Sequence, residues 1–155
     1  MEIFFEEDGV SAIRIFMGAA LALTVCATET AAKQCYAPDE RSQSRGFSRA
    51  VTTEGGKTLW LAGETGTPGG TFDAQVREIF AGLDKTIKAN GGGGLADIVT
   101  MTVFINDARL GDRFIELRKQ AFKTCFPASA LITVTGFAQP GLFIEIQGMA
   151  VVGGK

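Results

Sequence analysis

With 155 residues, 46 % of them hydrophobic, the chain is sized for one domain with a substantial core. Its net charge is −2 and it carries no run of Lys or Arg, which excludes nucleic-acid binding through a basic stripe. Histidine is absent, so Ser-His and Cys-His catalysis and histidine-ligated metals are excluded, and carboxylates, ordered water and backbone amides are left to do any chemistry.

Arg14 precedes an apolar run, Ile15 through Ala27, followed by Thr28-Glu29-Thr30-Ala31-Ala32. Such a run ending in small residues looks like a secretory signal and is short for a transmembrane helix. Against export, Glu2, Glu6, Glu7 and Asp8 make the leading segment acidic where a signal carries positive charge. The expectation is a cytoplasmic protein without membrane contact, in which residues 1–40 are an extension and 41–155 the domain. Export through the stretch from Ile15 to Ala32 is the alternative. Cys26, Cys35 and Cys125 form no C-x-x-C pair, and their odd number does not suggest a disulfide framework, so Cys125 is expected to be a small buried thiol.

Pro38 to Arg45 is polar and predicts a loop. Arg49 to Thr53 and Thr58 to Ala62, joined through Gly55-Gly56, predict a β-hairpin. Gly63 to Gly70 is a glycine-rich loop, not a phosphate loop, because no Gly-Lys-Ser/Thr follows. Thr71 is placed to cap a helix to about Asn90, whose stripe of Phe72, Val76, Ile79, Phe80, Leu83 and Ile87 is core, with Gln75 off that stripe. A β-branched strand from Ile98 to Asn106 precedes a second helix, about Leu110 to Thr124, burying Phe114, Leu117, Ala121 and Phe122. Strands Ala128–Phe137 and Leu142–Val152 follow, with Gln139-Pro140-Gly141 turning between them. The order ββ, helix, β, helix, ββ predicts an α+β layer with two helices on one face of a mixed sheet. Apolar strand surface beyond what two helices cover predicts self-association.

In the last strand Glu145 sits between Ile144 and Ile146. Two readings stand: a solvent-facing residue of an alternating strand, or a cleft acid whose desolvation is accepted for the sake of chemistry.

Several segments together resemble the RidA family, the reactive-intermediate deaminases. Phe126-Pro127-Ala128-Ser129-Ala130-Leu131-Ile132-Thr133-Val134 and Ile144-Glu145-Ile146-Gln147-Gly148-Met149-Ala150 are similar to the family's Pro-Ala-Arg-Ser strand and its closing Ile-Glu-Ile-Glu strand. Gly46-Phe47-Ser48-Arg49-Ala50-Val51 is similar to the opening Gly-Pro-Tyr-Ser-Gln-Ala. Leu59 through Glu64 matches the strand ending in Ser-Gly-Gln, and Ala96 through Ile105 the Asp-Val-Val strand. The resemblance runs from about Gly46 to Val152. It implies a chorismate-mutase-like fold, a homotrimer, and a small-metabolite cleft at each subunit interface lined by Phe47, Gly63, Glu64, Ser129, Ala130, Leu131 and Glu145. The implied chemistry is hydrolysis of an imine or enamine, with Glu145 orienting water and no metal or cofactor. A non-catalytic small-molecule-binding or regulatory trimer is the alternative. Two departures matter. Ser129 stands where the family's deaminating members carry the arginine that clamps substrate carboxylate, and Ile115 stands where the helix often shows asparagine. A serine hydroxyl does not replace a bidentate, always-charged fork, so the family's usual deamination is expected to be weak.

Overall fold

The computed structural model describes residues 33–153, and the signal-like stretch and Cys26 lie outside them. In chain order the elements are β1 (Gln34–Tyr36), α1 (Glu40–Ser44), β2 (Ala50–Thr52), β3 (Lys57–Thr65), α2 (Phe72–Ala89), β4 (Ile98–Ile105), α3 (Gly111–Phe122), β5 (Ala128–Thr133) and β6 (Ile144–Val152). Four strands form one sheet in the order β3-β6-β4-β5. β6 runs antiparallel to both β3 and β4, whereas β4 and β5 are parallel, so the sheet is mixed. That is the expected α+β layer.

One face of the sheet makes the core. Ile98, Met101, Val103 and Ile105 of β4 and Ile144, Ile146, Ala150 and Val152 of β6 point to α2 and α3. The α2 stripe of Val76, Ile79, Phe80, Leu83 and Ile87 meets them, and Phe80 stacks edge-on against Phe122 at 5.7 Å between ring centres. The Thr71 side chain accepts from the Ala74 backbone N–H, capping α2 as its position predicted. Gln75 departs from expectation, since it is fully buried rather than on an outer face. Its amide nitrogen donates to the Gly141 carbonyl at 2.8 Å and its amide oxygen accepts from the Phe143 N–H at 2.9 Å. A buried amide paired at both ends costs little and fixes one loop to another. Among the described residues the opposite face carries no helix: Trp60 is 77 % exposed there and Ile132 42 %.

Three local expectations are corrected. The segment from Pro38 to Arg45 contains α1, started by Asp39, whose carboxylate accepts from the Ser42 N–H at 2.7 Å. Gly55 and Gly56 adopt the positive φ of a turn, yet β2 and β3 form no hairpin: β2 pairs with β1, and β3 pairs with β6. Cys125 is not a buried thiol. It is exposed and bonded to Cys35 of β1, with 5.3 Å between the Cα atoms. Each Cys had a partner 90 residues away, in a segment assigned to the extension, and a long-range pairing of that kind leaves no trace in local spacing.

Surface carboxylates give the fold a definite acid response. Asp39 is held below its ordinary value by the Ser42 N–H and then by Arg49, Asp73 by its bonds to Arg113, and Asp84 by Lys88. Their folded pKa values lie below the unfolded ones, so their contribution is complete above the ordinary value of 3.8 and is lost as pH falls through the lower folded values. The urea midpoint should therefore be flat between about pH 5 and pH 7 and drop toward about pH 3. A midpoint unchanged over that range would show that these pairs contribute nothing.

Candidate functional site

Two surfaces carry all but one of the residues singled out above, and they lie on opposite sides of the sheet. On the helix side, a cleft of about 220 Å³ is lined by Phe47, Ser129 and Leu131, with Ile115 and Arg118 from α3 and Arg41 and Arg45 from the α1 region. Its placement follows from β5 register: Ser129 pairs with Met101 and Leu131 with Val103, both core residues, so these side chains share the helix-facing side. Phe47 is brought in because the Ser48 N–H donates to the Pro127 carbonyl and the Ser48 hydroxyl to the Phe126 carbonyl, which stitches the chain after α1 to the start of β5.

Arg118 dominates this cleft. One terminal nitrogen of its guanidinium donates to Ser129 Oγ at 2.7 Å, and the other donates to the Arg45 carbonyl. The plane lies 5.1 Å from the centre of the Phe114 ring. Only 3 % of the residue is exposed, and Nε is buried without a hydrogen-bond partner among the described residues. Burial, and then the nearby Arg45 charge, pull its pKa down to about 10, so it remains a cation at neutral pH. The positive charge that Ser129 lacks is thus delivered from the helix, to the serine's own hydroxyl.

On the bare side of the sheet stands Glu145. It pairs with Phe104 and Thr65, between core-facing Ile144 and Ile146, so the alternating-strand reading of its direction holds. It is nevertheless half-buried. The cover comes from the β3 irregularity between Leu61 and Glu64, where Gly63 lets the carboxylate lie across the backbone. A Cβ at Gly63 would sit 2.0 Å from Glu145 Oε1, so only glycine fits beneath that carboxylate as it stands. Among the described residues Glu145 forms no ion pair and no side-chain hydrogen bond. Ala130, paired with Thr102, shares this side. Glu64 belongs to neither surface: past the irregularity its side chain turns to the helices and packs on Gly82 of α2. One chain therefore brings Phe47, Ser129 and Leu131 together, and Gly63 and Glu145 together, but not the two groups.

The sequence of residues 39–152 matches the family described as Endoribonuclease L-PSP. The chain belongs to that family, the RidA family. A goat (Capra hircus) protein called 2-iminobutanoate/2-iminopropanoate deaminase is 26 % identical over 115 residues, covering 69 % of this chain and 80 % of the relative. Among solved structures, a Rid protein of unknown function from Yersinia pestis superposes with a TM-score of 0.69 at 24 % identity, covering 77 % of this chain and 98 % of its own. A member of the YjgF family from Mycobacterium tuberculosis gives 0.58 at 28 % identity, covering 77 % and 99 %. This RidA chain thus shares the family's fold at low identity.

Arg118 and Arg41 were not among the expected site residues, and for Arg118 a signal existed. Phe114, Leu117, Arg118, Ala121 and Phe122 recur at three- and four-residue steps, so a cation occupies a core-side place in the apolar stripe of α3. A charge inside such a stripe is the pattern to look for.

Proposed function

We propose that this RidA chain hydrolyses imines or enamines of small nitrogen compounds in a cleft shared between subunits of a homotrimer. Phe47, Ser129, Leu131 and Arg118 of one subunit hold the substrate, and Glu145, above Gly63 on the bare sheet face of the next, orients water. In the reaction the water oxygen bonds to the imine carbon while Glu145 takes one proton from that water and passes it to the nitrogen; the hydroxyl proton of the resulting carbinolamine then moves through Glu145 to the nitrogen as the C–N bond breaks, leaving a carbonyl compound and ammonia. The observation that carries this reading is the position of Glu145: a half-buried carboxylate, unpaired among the described residues, on the face where Trp60 and Ile132 are exposed. A carboxylate used as a structural staple would have a partner.

The test is ammonia release from 2-iminobutanoate generated in solution, measured against spontaneous hydrolysis on a species of about three times the chain mass of 16.4 kDa. Acceleration is expected. A species of trimer mass that gives none would leave the second reading, a non-catalytic small-molecule-binding trimer, which the departures at Ser129 and Ile115 favour. No helix among the described residues is long and apolar enough to cross a membrane. The Cys35–Cys125 bond favours an oxidising compartment, and so the export alternative, over the cytoplasm.

A further inference from the structure

Among the described residues, Arg118 is a buried cation without a counter-charge. Its hydrogen bonds there go to a hydroxyl and a carbonyl, both neutral, and its Nε has no partner among those residues. Burying a charge is costly unless an opposite charge is brought with it. The neighbouring charges worsen the balance. Arg41 lines the same cleft and has no carboxylate within ion-pair distance among the described residues, and Arg45 reaches only Asp112, at 3.3 Å, on a side chain 89 % exposed. Three guanidinium groups therefore converge on one recess against a single, well-solvated carboxylate. A stability role does not account for this, because an apolar side chain at 118 would extend the stripe of α3.

We propose that the recess between Arg118, Arg41 and Arg45 binds a dianionic group, a dicarboxylate or a phosphate, with Arg118 as the buried contact and Arg41 as the second charge at the rim. Planar guanidinium forks suit the oxygens of either group, and two such forks satisfy two negative charges better than one. Phe47, Ile115 and Leu131 supply apolar wall for a short carbon skeleton beside the charged end. The inference rests on the cleft being the ligand site of the proposed function, but not on catalysis taking place there.

Calorimetric titration of the full chain with inorganic phosphate, succinate and butyrate at matched ionic strength tests it without turnover. Phosphate or succinate should bind at least about tenfold more tightly than butyrate, and which of the two is tighter identifies the source of the dianion. Arg41→Gln, at an exposed position where folding is not at stake, should remove most of that preference while butyrate binding persists. Arg118→Gln should weaken all three anions, with Arg118→Lys restoring part of the binding. Butyrate binding as tightly as the dianions, a preference untouched by Arg41→Gln, or no anion binding at all would each overturn the proposal. Ammonia release without dianion preference would sink this inference alone. Dianion preference without ammonia release would sink the hydrolase reading and leave this one standing.

Discussion

Glu145→Gln should lower ammonia release by about tenfold or more while leaving stability equal or slightly raised. Glutamine keeps the shape of the side chain lying over Gly63, and it removes only the charge and the capacity to carry a proton. No ion pair or hydrogen bond among the described residues is lost with that charge, and a partly desolvated carboxylate gives way to a neutral amide. Turnover and urea unfolding have to be measured together. Loss of both would mean that a neighbouring subunit supplies Glu145 with a structural cation. No change in either would reduce it to an ordinary surface residue of an alternating strand and would remove the main support for an enzyme.

The second large effect is expected from the disulfide. Cys35 and Cys125 close a loop spanning 90 residues, for which chain entropy predicts roughly 4–5 kcal/mol, and measured effects commonly reach about 2–4 kcal/mol. A double Cys35→Ala, Cys125→Ala variant should lose about 3 kcal/mol, which for a chain of this length lowers Tm by roughly 10 °C. The bond fastens β1, and through it β2, to the turn that leads into β5. Lys33 fastens the same corner, donating to the Ala96, Ile98 and Cys125 carbonyls, so part of the attachment survives reduction. A thiol count on unfolded, unreduced protein gives an independent check. Two of the three cysteines are bonded, so no more than one free thiol should be found, and three would mean that the bond does not form.

What could be read from the chain was whatever local periodicity and capping encode. Helix α2 announces itself through Thr71 and a stripe that repeats with the helical period, and β4 through its run of β-branched residues. Gly55-Gly56 marked a bend at positive φ, but the partner of β2 is β1, a three-residue strand in what reads as an extension, and hydrogen-bond partners that distant are not written into composition. Short α1 was missed because its polar sequence carries no stripe; Asp39 three residues before Ser42 was the available clue. In the site, the fold resemblance pointed to the right strands, and the period-two rule gave the outward direction of Glu145. It did not reveal that Ser129 and Glu145 face opposite ways, which follows only once Ser129 is registered against Met101, and Glu145 against Phe104, on the same strand. The substitution at Ser129 suggested a lost charge. Arg118 lies eleven residues earlier and reaches the serine only because α3 packs over β5.

That opposition of faces sets a kinetic signature. A single copy holding Arg118 on one side of its sheet and Glu145 on the other has no means of presenting both to one small molecule, so the proposed reaction requires an encounter between copies. Specific activity would then depend on how much protein is in the tube: constant while subunits stay associated, and falling on dilution once they part. Mixed assemblies should behave in the same way. Subunits damaged only at Arg118 and subunits damaged only at Glu145, each impaired alone, would regain part of the rate when unfolded and refolded together, because some interfaces would then unite two intact halves.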